Sequence, residues 1–491
     1  MRKAVVRCAG LVLCALFAAP AGPARAAEDP AAPGTRLLEK RHYAEAIAVL
    51  RPAVAARPGA GGKALLALGV ACVRNAELHR ALHRTAVAVR LDYLKRLSAE
   101  RGTGGSAVTT LALGEALLAA GKPRDAKAQL ERYLAKAGKK TSDGAVAEID
   151  LALCRHRMGE PRAAKALLAG VDLADPEVKA EMAAARARLG APDANAAAAA
   201  LAAGKPSART LKNVALAYAR AGQAEKAMDL VARADLAAFS REEALGRHKT
   251  VRFYDPFLLE DLATIYLAAG IAALESAVAD PAVRDAASFS LGEAYALAGR
   301  ADASAKALDA VAASARMPAG YRDRAAARQA GNRYAAGRKA EALRAWEDLS
   351  RKGPADPELL AEVVAACDRT GAPCDGIVGR AAAAAEAGEG KRFRPLRFAL
   401  GRHFLGRGQS GAALAHLEAA RDKGHKNRIE ANDPGLLADL AEGYYRTRKY
   451  SEAQEIHFEL GKQFPAVRQI QDALQGIYAR EQKSPGDVRI L

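Results

Sequence analysis

The sequence is poor in the residues that build other fold classes. Aromatic residues make up 5% of its 491 residues, and Trp346 is the single tryptophan. A β-sandwich needs aromatic and β-branched residues along its strands, so this shortage argues against an all-β fold. Six cysteines are too few for a fold built on disulfides. After residue 26, no stretch has 18 apolar residues without a charge, so no transmembrane helix is expected.

Motifs for catalysis are missing as well. The sequence has no Gly-rich phosphate loop, no Gly-x-Ser-x-Gly elbow and no His-Glu-x-x-His zinc pair. The nearest feature is the pair His79 and His83, one helical turn apart, with Glu77 and Cys72 nearby. Two histidines make a weak metal signal, and a solvated helix face is the preferred interpretation. We therefore expect a non-enzymatic protein with neither a metal nor another cofactor.

The first 26 residues have the pattern of a secretory signal peptide. Arg2, Lys3 and Arg7 give a basic start, residues 11–19 are apolar, and residues 24–26 form a small-x-small exit. This pattern predicts cleavage before Ala27 and export across the inner membrane, with a bacterial periplasm as the destination. An extracellular or lipid-anchored protein is the less favoured alternative. Loss of the leader lowers the formal net charge from +18 to +14.

The positive charge has two interpretations. It can attract acidic partner segments or anionic surfaces, or it can reflect arginines spread over solvated helix faces. The second interpretation is favoured, because net charge governs solubility and encounter more than fold. Nucleic acid is not expected as a partner, since the chain is exported and has no basic stretch interleaved with aromatics.

Apolar residues make up 51% of the chain and are mostly Ala, Leu and Val, which suits closely packed helices. The stretch Leu111 to Leu134 predicts two short amphipathic helices that fold back on each other at Gly121. One such hairpin cannot bury its own apolar face and needs copies beside it. Turns of the same kind are predicted at Gly159, Gly190, Gly222, Gly299, Gly337 and Gly408, with weaker copies near Gly270 and Gly371.

A further hairpin is predicted from Leu68-Gly69 to Ala81, followed by a long second helix that reaches about Leu97. The steps from Gly159 through Gly190 to Gly222 are 31 and 32 residues, and those from Gly299 through Gly337 to Gly371 are 38 and 34. Self-similarity at this period indicates a stacked array of helical repeats. The predicted fold class is all-α.

Two segments carry a more specific signature. Tyr43-Ala-Glu-Ala46 and Tyr450-Ser-Glu-Ala453 each open the second helix of a unit, and Pro58 and Pro465 close those units. With the Leu-Gly and turn-glycine positions, this frame resembles the tetratricopeptide repeat (TPR). The resemblance covers residues 36–465, about twelve hairpins at the 34-residue period. It implies an α-solenoid, a superhelical array of antiparallel helix hairpins.

On this resemblance, the whole chain can be divided into predicted parts. The predicted parts are a signal peptide (1–26), a linker (27–35), an N-terminal TPR-like array (36–238), an irregular insertion (239–256), a C-terminal TPR-like array (257–465), a capping helix (466–483) and a tail (484–491).

In families of this kind, the first helices of successive hairpins line a concave surface that takes up a peptide or a partner helix. The resemblance places eight residues of this sequence on or near such a groove: Arg74, His156, Arg157, Lys212, Arg220, Arg402, Tyr445 and Arg446. Because this set is mainly basic, an acidic or carboxylate-bearing segment is the expected ligand. The alternative is that these side chains merely solvate the inner wall.

Cys367 and Cys374 flank the turn at Gly371, so a disulfide between them could pin the two helices of one hairpin in an oxidising compartment. The alternative is two free thiols at these positions.

The leading functional hypothesis is a scaffold that binds or tethers proteins of the bacterial cell envelope. An accessory component of an envelope machine for secretion, surface motility or outer-membrane assembly is the alternative of the same class. An enzyme or cofactor of polysaccharide or peptidoglycan metabolism is the alternative of another class. It is disfavoured because no segment outside the array is long enough for a separate catalytic domain.

Overall fold

A computed structural model of the chain describes residues 30–56, 61–99, 106–171, 174–203, 206–234, 240–244, 250–352, 356–422, 424, 431–462, 464, 467 and 470–471. The predicted signal peptide lies outside these residues, and so does most of the predicted capping helix. Over the described residues the fold is an array of α-helices with one pair of short strands. The predicted all-α, helical-hairpin fold class is therefore confirmed.

The helices and strands follow one another along the chain in this order: α1 (Ala32–Glu39), α2 (Tyr43–Ala55), α3 (Gly62–Ala99), α4 (Ala107–Ala119), α5 (Pro123–Ala137), α6 (Ser142–Arg157), α7 (Pro161–Ala169), α8 (Pro176–Arg188), α9 (Ala194–Ala202), α10 (Ala208–Arg220), α11 (Ala224–Arg233), β1 (Ser240–Ala244), β2 (Thr250–Tyr254), α12 (Leu258–Ala277), α13 (Arg284–Leu297), α14 (Ala301–Ala313), α15 (Ala319–Ala335), α16 (Lys339–Lys352), α17 (Pro357–Thr370), α18 (Asp375–Ala387), α19 (Arg394–Gly406), α20 (Ser410–Ala420), α21 (Pro434–Arg446) and α22 (Tyr450–Gly461).

These elements divide into two compact units. Of the described residues, unit 1 takes in 30–75 and 270–459, and unit 2 takes in 76–269 and 460–471. The three boundaries fall inside α3, α12 and α22, whereas the sequence predicts a division at residues 239–256.

Short turns of three to five residues join twelve successive helix pairs in the described part of the chain. The eight glycines predicted to form such turns have φ between 64° and 85°, which confirms them. A residue with φ in this range can end a helix and start the chain back, and glycine does so without a Cβ penalty. Arg41 and Arg448 take the same conformation at the turns after α1 and α21, with φ of 65° and 62°.

Glycines inside the first helices let the two helices of a hairpin pack closely. A Cβ added to Gly114 on α4 would lie 2.9 Å from Leu130 Cγ on α5, and one added to Gly292 would lie 2.6 Å from Leu308 Cγ. In both pairs the leucine follows the glycine by 16 residues, so the same contact recurs in different repeats. This recurrence is the packing that a repeated hairpin frame requires.

Two sequence predictions about glycines were wrong. Gly69 does not open a hairpin, because α3 runs unbroken from Gly62 to Ala99, and no glycine or proline near residue 76 interrupts it. Gly270 is not a turn but lies within α12. These two glycines face each other: Cβ atoms built on them would lie 2.5 Å from Leu274 Cγ and 3.1 Å from the Gly69 carbonyl oxygen. The glycines therefore mark a close helix crossing, and α3 and α12 each replace a predicted hairpin.

The predicted irregular insertion at residues 239–256 contains ordered strands. The strands β1 and β2 pair antiparallel, with Ser240 opposite Tyr254 and Ala244 opposite Thr250. The predicted linker is also partly regular, since α1 begins at Ala32.

The core of unit 1 contains the single tryptophan. Trp346 on α16 is fully buried, its indole nitrogen donates a hydrogen bond to the Ala327 carbonyl at 2.8 Å, and its ring stacks on Tyr334. Cys367 and Cys374 belong to the same apolar cluster and are joined by a disulfide, with their Cα atoms 6.2 Å apart. The bond links the end of α17 to the residue that precedes α18.

Candidate partner-binding surface

The predicted groove residues lie on α3 (Arg74) and on first helices of hairpins: His156 and Arg157 on α6, Lys212 and Arg220 on α10, Arg402 on α19, and Tyr445 and Arg446 on α21. In the structure, seven of the eight residues therefore lie on first helices of hairpins. Their surroundings differ greatly.

Charged side chains from successive first helices of unit 2 meet in one buried network. Glu181 on α8 forms ion pairs with Arg188 of its own helix (Oε1–Nη1 3.2 Å) and with Arg209 on α10 (Oε2–Nη2 3.1 Å). The side-chain amide of Asn213 donates a hydrogen bond to the same carboxylate at 2.8 Å. The network therefore joins α8 to α10 on a face that both helices share.

Lys212 extends this network from α10. Its Nζ atom lies 2.5 Å from Asp255 Oδ2 and 2.6 Å from Asp261 Oδ2, and its side chain is 1% exposed. Arg188 also pairs with Asp261 (Nη2–Oδ2 2.7 Å), and its guanidinium lies 4.5 Å from the centroid of the Phe257 ring. Lys212 is thus enclosed by carboxylates of its own chain instead of being presented to a partner.

Pairing keeps these carboxylates ionised despite burial. Burial alone would raise the pKa of Glu181, but the guanidinium groups of Arg209 and Arg188 hold that pKa at about 2. Burial would likewise raise the pKa of Asp255, and the charges of Lys212 and Arg209 lower it instead. A buried carboxylate is stable only when cations and hydrogen-bond donors replace the lost water, as they do here.

Two other first-helix carboxyl groups in unit 2 are less well compensated. Asp150 on α6 is 2% exposed. Burial raises its pKa well above the usual range, and the charges of Glu115 and Glu181 raise it further. Burial also raises the pKa of Glu115 on α4, whose Oε2 lies 3.9 Å from Nη2 of Arg90. Carboxyl groups with raised and with lowered pKa values are therefore close neighbours on these first helices.

Unit 1 has a second, separate chain of ion pairs. Arg74 on α3 forms a bidentate pair with Glu293 on α13, with both N–O distances 3.2 Å. Arg328 on α15 lies 3.4 Å from the same carboxylate and forms its own bidentate pair with Glu362 on α17, at 2.8 and 3.0 Å. Burial would raise the pKa of Glu362, but Arg328 and then Arg369 hold it at about 2. The predicted groove residue Arg74 is thus one member of an internal ion-pair chain.

Arg402 is also paired internally. Its Nε atom donates a hydrogen bond to Oδ2 of the fully buried Asp439 on α21 at 2.7 Å, and its guanidinium lies over the ring of Phe398. This pair joins the first helices α19 and α21.

Arg157 and Arg446 have equivalent structural roles in different repeats. Each is the last residue of a first helix and donates from Nη1 to a carbonyl near the end of the preceding first helix: Arg157 to Leu118 at 2.6 Å, and Arg446 to Leu405 at 3.0 Å. A cation at a helix carboxyl end satisfies a free carbonyl and interacts favourably with the helix dipole. Arg446 also pairs with Glu442 of its own helix at 2.5 Å.

The remaining groove residues lie at helix ends. His156 and Arg220 are exposed at the ends of α6 and α10. The ring of Tyr445 lies 5.8 Å from that of Tyr450, across the turn between α21 and α22. The eight residues therefore differ in exposure and in partners.

Sequence reasoning missed most of the carboxylates and several cations in these networks. Asp255 lies within the segment predicted to be an irregular insertion, and Glu181, Arg188, Arg209 and Arg328 were not recognised at all. A usable signal was present, since Lys212 and Asn213 fall in a helix whose other residues are largely apolar. A lysine at such a position implies a buried carboxylate partner.

The two histidines considered as metal ligands have different neighbours. The ring of His79 lies 5.4 Å from that of Tyr266, and Nε2 of His83 lies 3.8 Å from Oε2 of Glu260. In the described part of the chain, no three His, Cys, Asp or Glu side chains are arranged to hold a metal ion. None of the described helices has the length and apolar character needed to cross a membrane.

Comparisons with known proteins give a likeness of fold only. No family model and no curated protein matches the sequence. Similar solved structures include the P58(IPK) TPR domain, at 14% identity over 77% of this chain and 99% of that chain, with a TM-score of 0.22. Yeast Tom70 is 12% identical over 92% and 96% of the two chains, with a TM-score of 0.34. The Cut9–Hcn1 structure is 12% identical over 90% and 94%, with a TM-score of 0.28. With sequence identities and TM-scores this low, no function can be transferred from these proteins to this chain.

Proposed function

We propose that this chain is an exported, non-enzymatic interaction protein of the bacterial cell envelope, which holds partner proteins on the surface of its first helices. The observation that carries the proposal is the repeated hairpin, in which successive first helices share a face. In unit 2, side chains from α8 and α10 meet on that face, and in unit 1 those of α13, α15 and α17 do. A surface built in this way grows with the number of repeats and suits an extended segment of another protein.

Two features support the localisation in this proposal. The leader pattern of residues 1–26 is typical of secreted proteins. The disulfide between Cys367 and Cys374 suits an oxidising compartment such as the periplasm, where such bonds persist.

The buried ion pairs support a scaffold role. They join neighbouring first helices, so they hold these helices in a fixed arrangement when a partner binds. An accessory component of an envelope machine would use the same surface and would differ only in the identity of its partner.

The proposal is tested by capturing partners with the mature chain, residues 27–491, from the envelope fraction of its own organism, followed by mass spectrometry. The matched control is an unrelated helical protein of similar size and net charge. We expect a small set of envelope proteins to be enriched over the control and to remain bound at moderate salt. Equal recovery on both proteins would show that charge alone captures them, and would refute the proposed function.

A further inference from the structure

A surface cavity in unit 1 lies between the second helix of one hairpin, α18, and the first helix of the next, α19. Its volume is about 270 Å³. Val378, Gly379 and Ala382 line this α18–α19 cavity from one side, and His403 and Phe404 line it from the other. Pockets for drug-sized molecules have volumes of about 300–1,000 Å³, so this smaller cavity suits a single large side chain.

The side of the cavity formed by α19 is aromatic. The ring of Phe404 stacks on that of His416 on α20, with centroids 5.4 Å apart, and the ring of His403 meets it edge-on at 5.6 Å. Phe404 and Ala382 also pack against the buried apolar cluster that contains Val378. Aromatic rings associate with the faces and edges of other rings, so this surface favours an aromatic ring over an aliphatic chain.

Gly379 leaves room on the side formed by α18. A Cβ built on Gly379 would have no heavy atom of the described residues within 4 Å. The same is true of Gly376, one turn earlier on α18, which lies outside the described lining of the cavity. A larger side chain at Gly379 would therefore fill the cavity, whereas the same side chain at Gly376 would not.

The opening of the cavity carries one charge of each sign. Asp375 on α18 and Arg407, which directly follows α19, both line it, and Asp375 Oδ1 lies 3.5 Å from Arg407 Nη1. Their side chains are 80% and 45% exposed, and an ion pair this exposed contributes little to stability. Each group can therefore bind an opposite charge next to the ring of a ligand.

The two sides of the cavity are held together by the turn that carries the disulfide. Asp368 and Asp375 directly follow the two bonded cysteines in the sequence. Asp375 reaches Arg407, and Asp368 Oδ1 lies 3.5 Å from Nδ1 of His403, one helical turn before Arg407. A cavity whose sides are fixed before a ligand arrives loses less conformational freedom on binding.

We propose that the α18–α19 cavity is a docking pocket for one aromatic side chain of a partner protein, flanked by a basic and an acidic residue that face Asp375 and Arg407. This inference rests on the proposed function and names a site and the chemistry of the partner segment. The lining residues Asp375, Gly379, Arg407 and Gln409 are exposed, so the cavity opens to solvent. A partner segment that covers this opening would bury the ring, as aromatic anchors are buried at protein interfaces.

The probe is the acetylated and amidated peptide Gly-Lys-Phe-Glu-Gly, observed by saturation-transfer-difference NMR on the mature chain. This measurement suits a large protein and a weak ligand, and a pocket for one side chain implies a dissociation constant on the order of 1 mM. Reference peptides replace the phenylalanine by leucine or alanine, or both charged residues by glutamine. Free L-phenylalanine is the reference for a small-molecule ligand.

Gly379→Leu fills the cavity, and Gly376→Leu is the matched control on the same helix. Both changes replace a helical glycine by a better helix former, so both variants should fold, which circular dichroism verifies. Phe404→Leu removes the aromatic surface and keeps an apolar side chain in its place.

We expect the ring protons of the phenylalanine to receive the strongest saturation. The alanine peptide should bind at least about tenfold more weakly, because the buried ring is lost. The leucine peptide, and the phenylalanine peptide on Phe404→Leu, should bind about threefold or more weakly, because the contact between rings is lost. Replacing both charges should weaken binding by about twofold.

The glycine variants locate the site. Gly379→Leu should abolish saturation of the peptide, and Gly376→Leu should change its affinity by less than about twofold, since that position lies outside the cavity. Equal losses in both variants, or no saturation with the wild-type chain, would overturn the assignment. So would equal binding of the leucine and phenylalanine peptides. Tighter binding of L-phenylalanine than of the peptide would make a free amino acid the ligand and would also refute the proposal.

Partner capture separates this inference from the proposed function. If Gly379→Leu captures the same envelope proteins as Gly376→Leu, the interaction role stands and the docking pocket is wrong. If the wild-type chain binds the peptide in the cavity but captures no envelope protein, the proposed function itself fails.

Discussion

At the scale of single residues, the first helices of unit 2 carry neighbouring carboxyl groups whose pKa values are shifted in opposite directions. Burial and the charges of Glu115 and Glu181 raise the pKa of Asp150 more than nearby arginines lower it, whereas arginines hold the pKa of the equally buried Glu181 at about 2. What decides the outcome is which partners reach each group, since both are almost fully buried. Such partners come from distant parts of the sequence and cannot be seen in a local pattern.

This contrast predicts opposite pH dependences for two neutral replacements. Between about pH 4 and its raised folded pKa, Asp150 keeps its proton in the folded state and loses it in the unfolded state. The wild-type chain therefore loses about 1.4 kcal/mol of stability per pH unit from this group as the pH rises. Asp150→Asn lacks this loss, so its free energy of unfolding should rise relative to wild type from pH 4 towards neutral pH.

The contribution of Glu181 to stability has the opposite pH dependence. Its lowered folded pKa gives stability that is present above the unfolded value of about 4.3 and is lost as the pH falls towards about 2. Glu181→Gln should therefore be clearly destabilised at neutral pH and approach wild type in acid. Urea unfolding followed by far-UV circular dichroism at several pH values measures both trends. Parallel trends for the two variants would show that their environments do not differ as described.

At the scale of helices and turns, the sequence predicted much of the structure because the signal is local. A turn glycine must reach positive φ, and that requirement is visible in the sequence without knowledge of tertiary contacts. All eight such predictions were correct. Gly270 was misread as a turn because glycine has a second use, close helix approach, that sequence alone does not distinguish from a turn. The hairpin predicted from Gly69 is wrong because α3 continues unbroken past it.

The role of glycine in close helix packing gives a prediction for two helices of unit 1. Gly292→Ala would place a Cβ 2.6 Å from Leu308 Cγ and should destabilise the protein by about 1–3 kcal/mol, because α13 and α14 would have to move apart. The control is Gly379→Ala on α18, where nothing lies within 4 Å of the new Cβ. That change should stabilise the helix by up to about 1 kcal/mol, since alanine has the higher helix propensity.

The buried Trp346 belongs to the same unit and reports both variants by fluorescence during urea unfolding. A Gly292→Ala variant as stable as the Gly379→Ala variant would mean that α13 and α14 do not pack in close contact.

At the scale of the whole molecule, the sequence predicted an array of hairpins and the structure has one, but two predicted hairpins are single long helices. The helix class followed from composition and from the repeat period, which are properties of the entire chain. The candidate surface was less predictable. The resemblance to the tetratricopeptide repeat placed all eight residues on or near the groove, and seven of them lie on first helices of hairpins. Which side chains face solvent depends on carboxylates such as Asp255 and Glu293, which lie 43 and 219 residues away from their cations.

Export and the disulfide together give a prediction for the whole chain. If residues 1–26 direct the chain to an oxidising compartment, Cys367 and Cys374 become bonded there, whereas a chain that lacks the leader stays in the reducing cytoplasm with both thiols free. Both forms are expressed in the same bacterial cells, quenched in acid, unfolded in denaturant and alkylated without reductant. Mass spectrometry then counts the modified cysteines.

The exported form should begin at Ala27 and carry two alkyl groups, at Cys72 and Cys154. These two cysteines are not in a disulfide and are buried in the folded protein. The form without the leader should carry four. Replacing Cys367 and Cys374 by serine should leave two alkylated cysteines in both compartments and so confirms the assignment. Six alkyl groups on the leader-bearing form, with the leader and its Cys8 and Cys14 still attached, would show that the chain is not exported and would remove the periplasmic setting on which the proposed function depends.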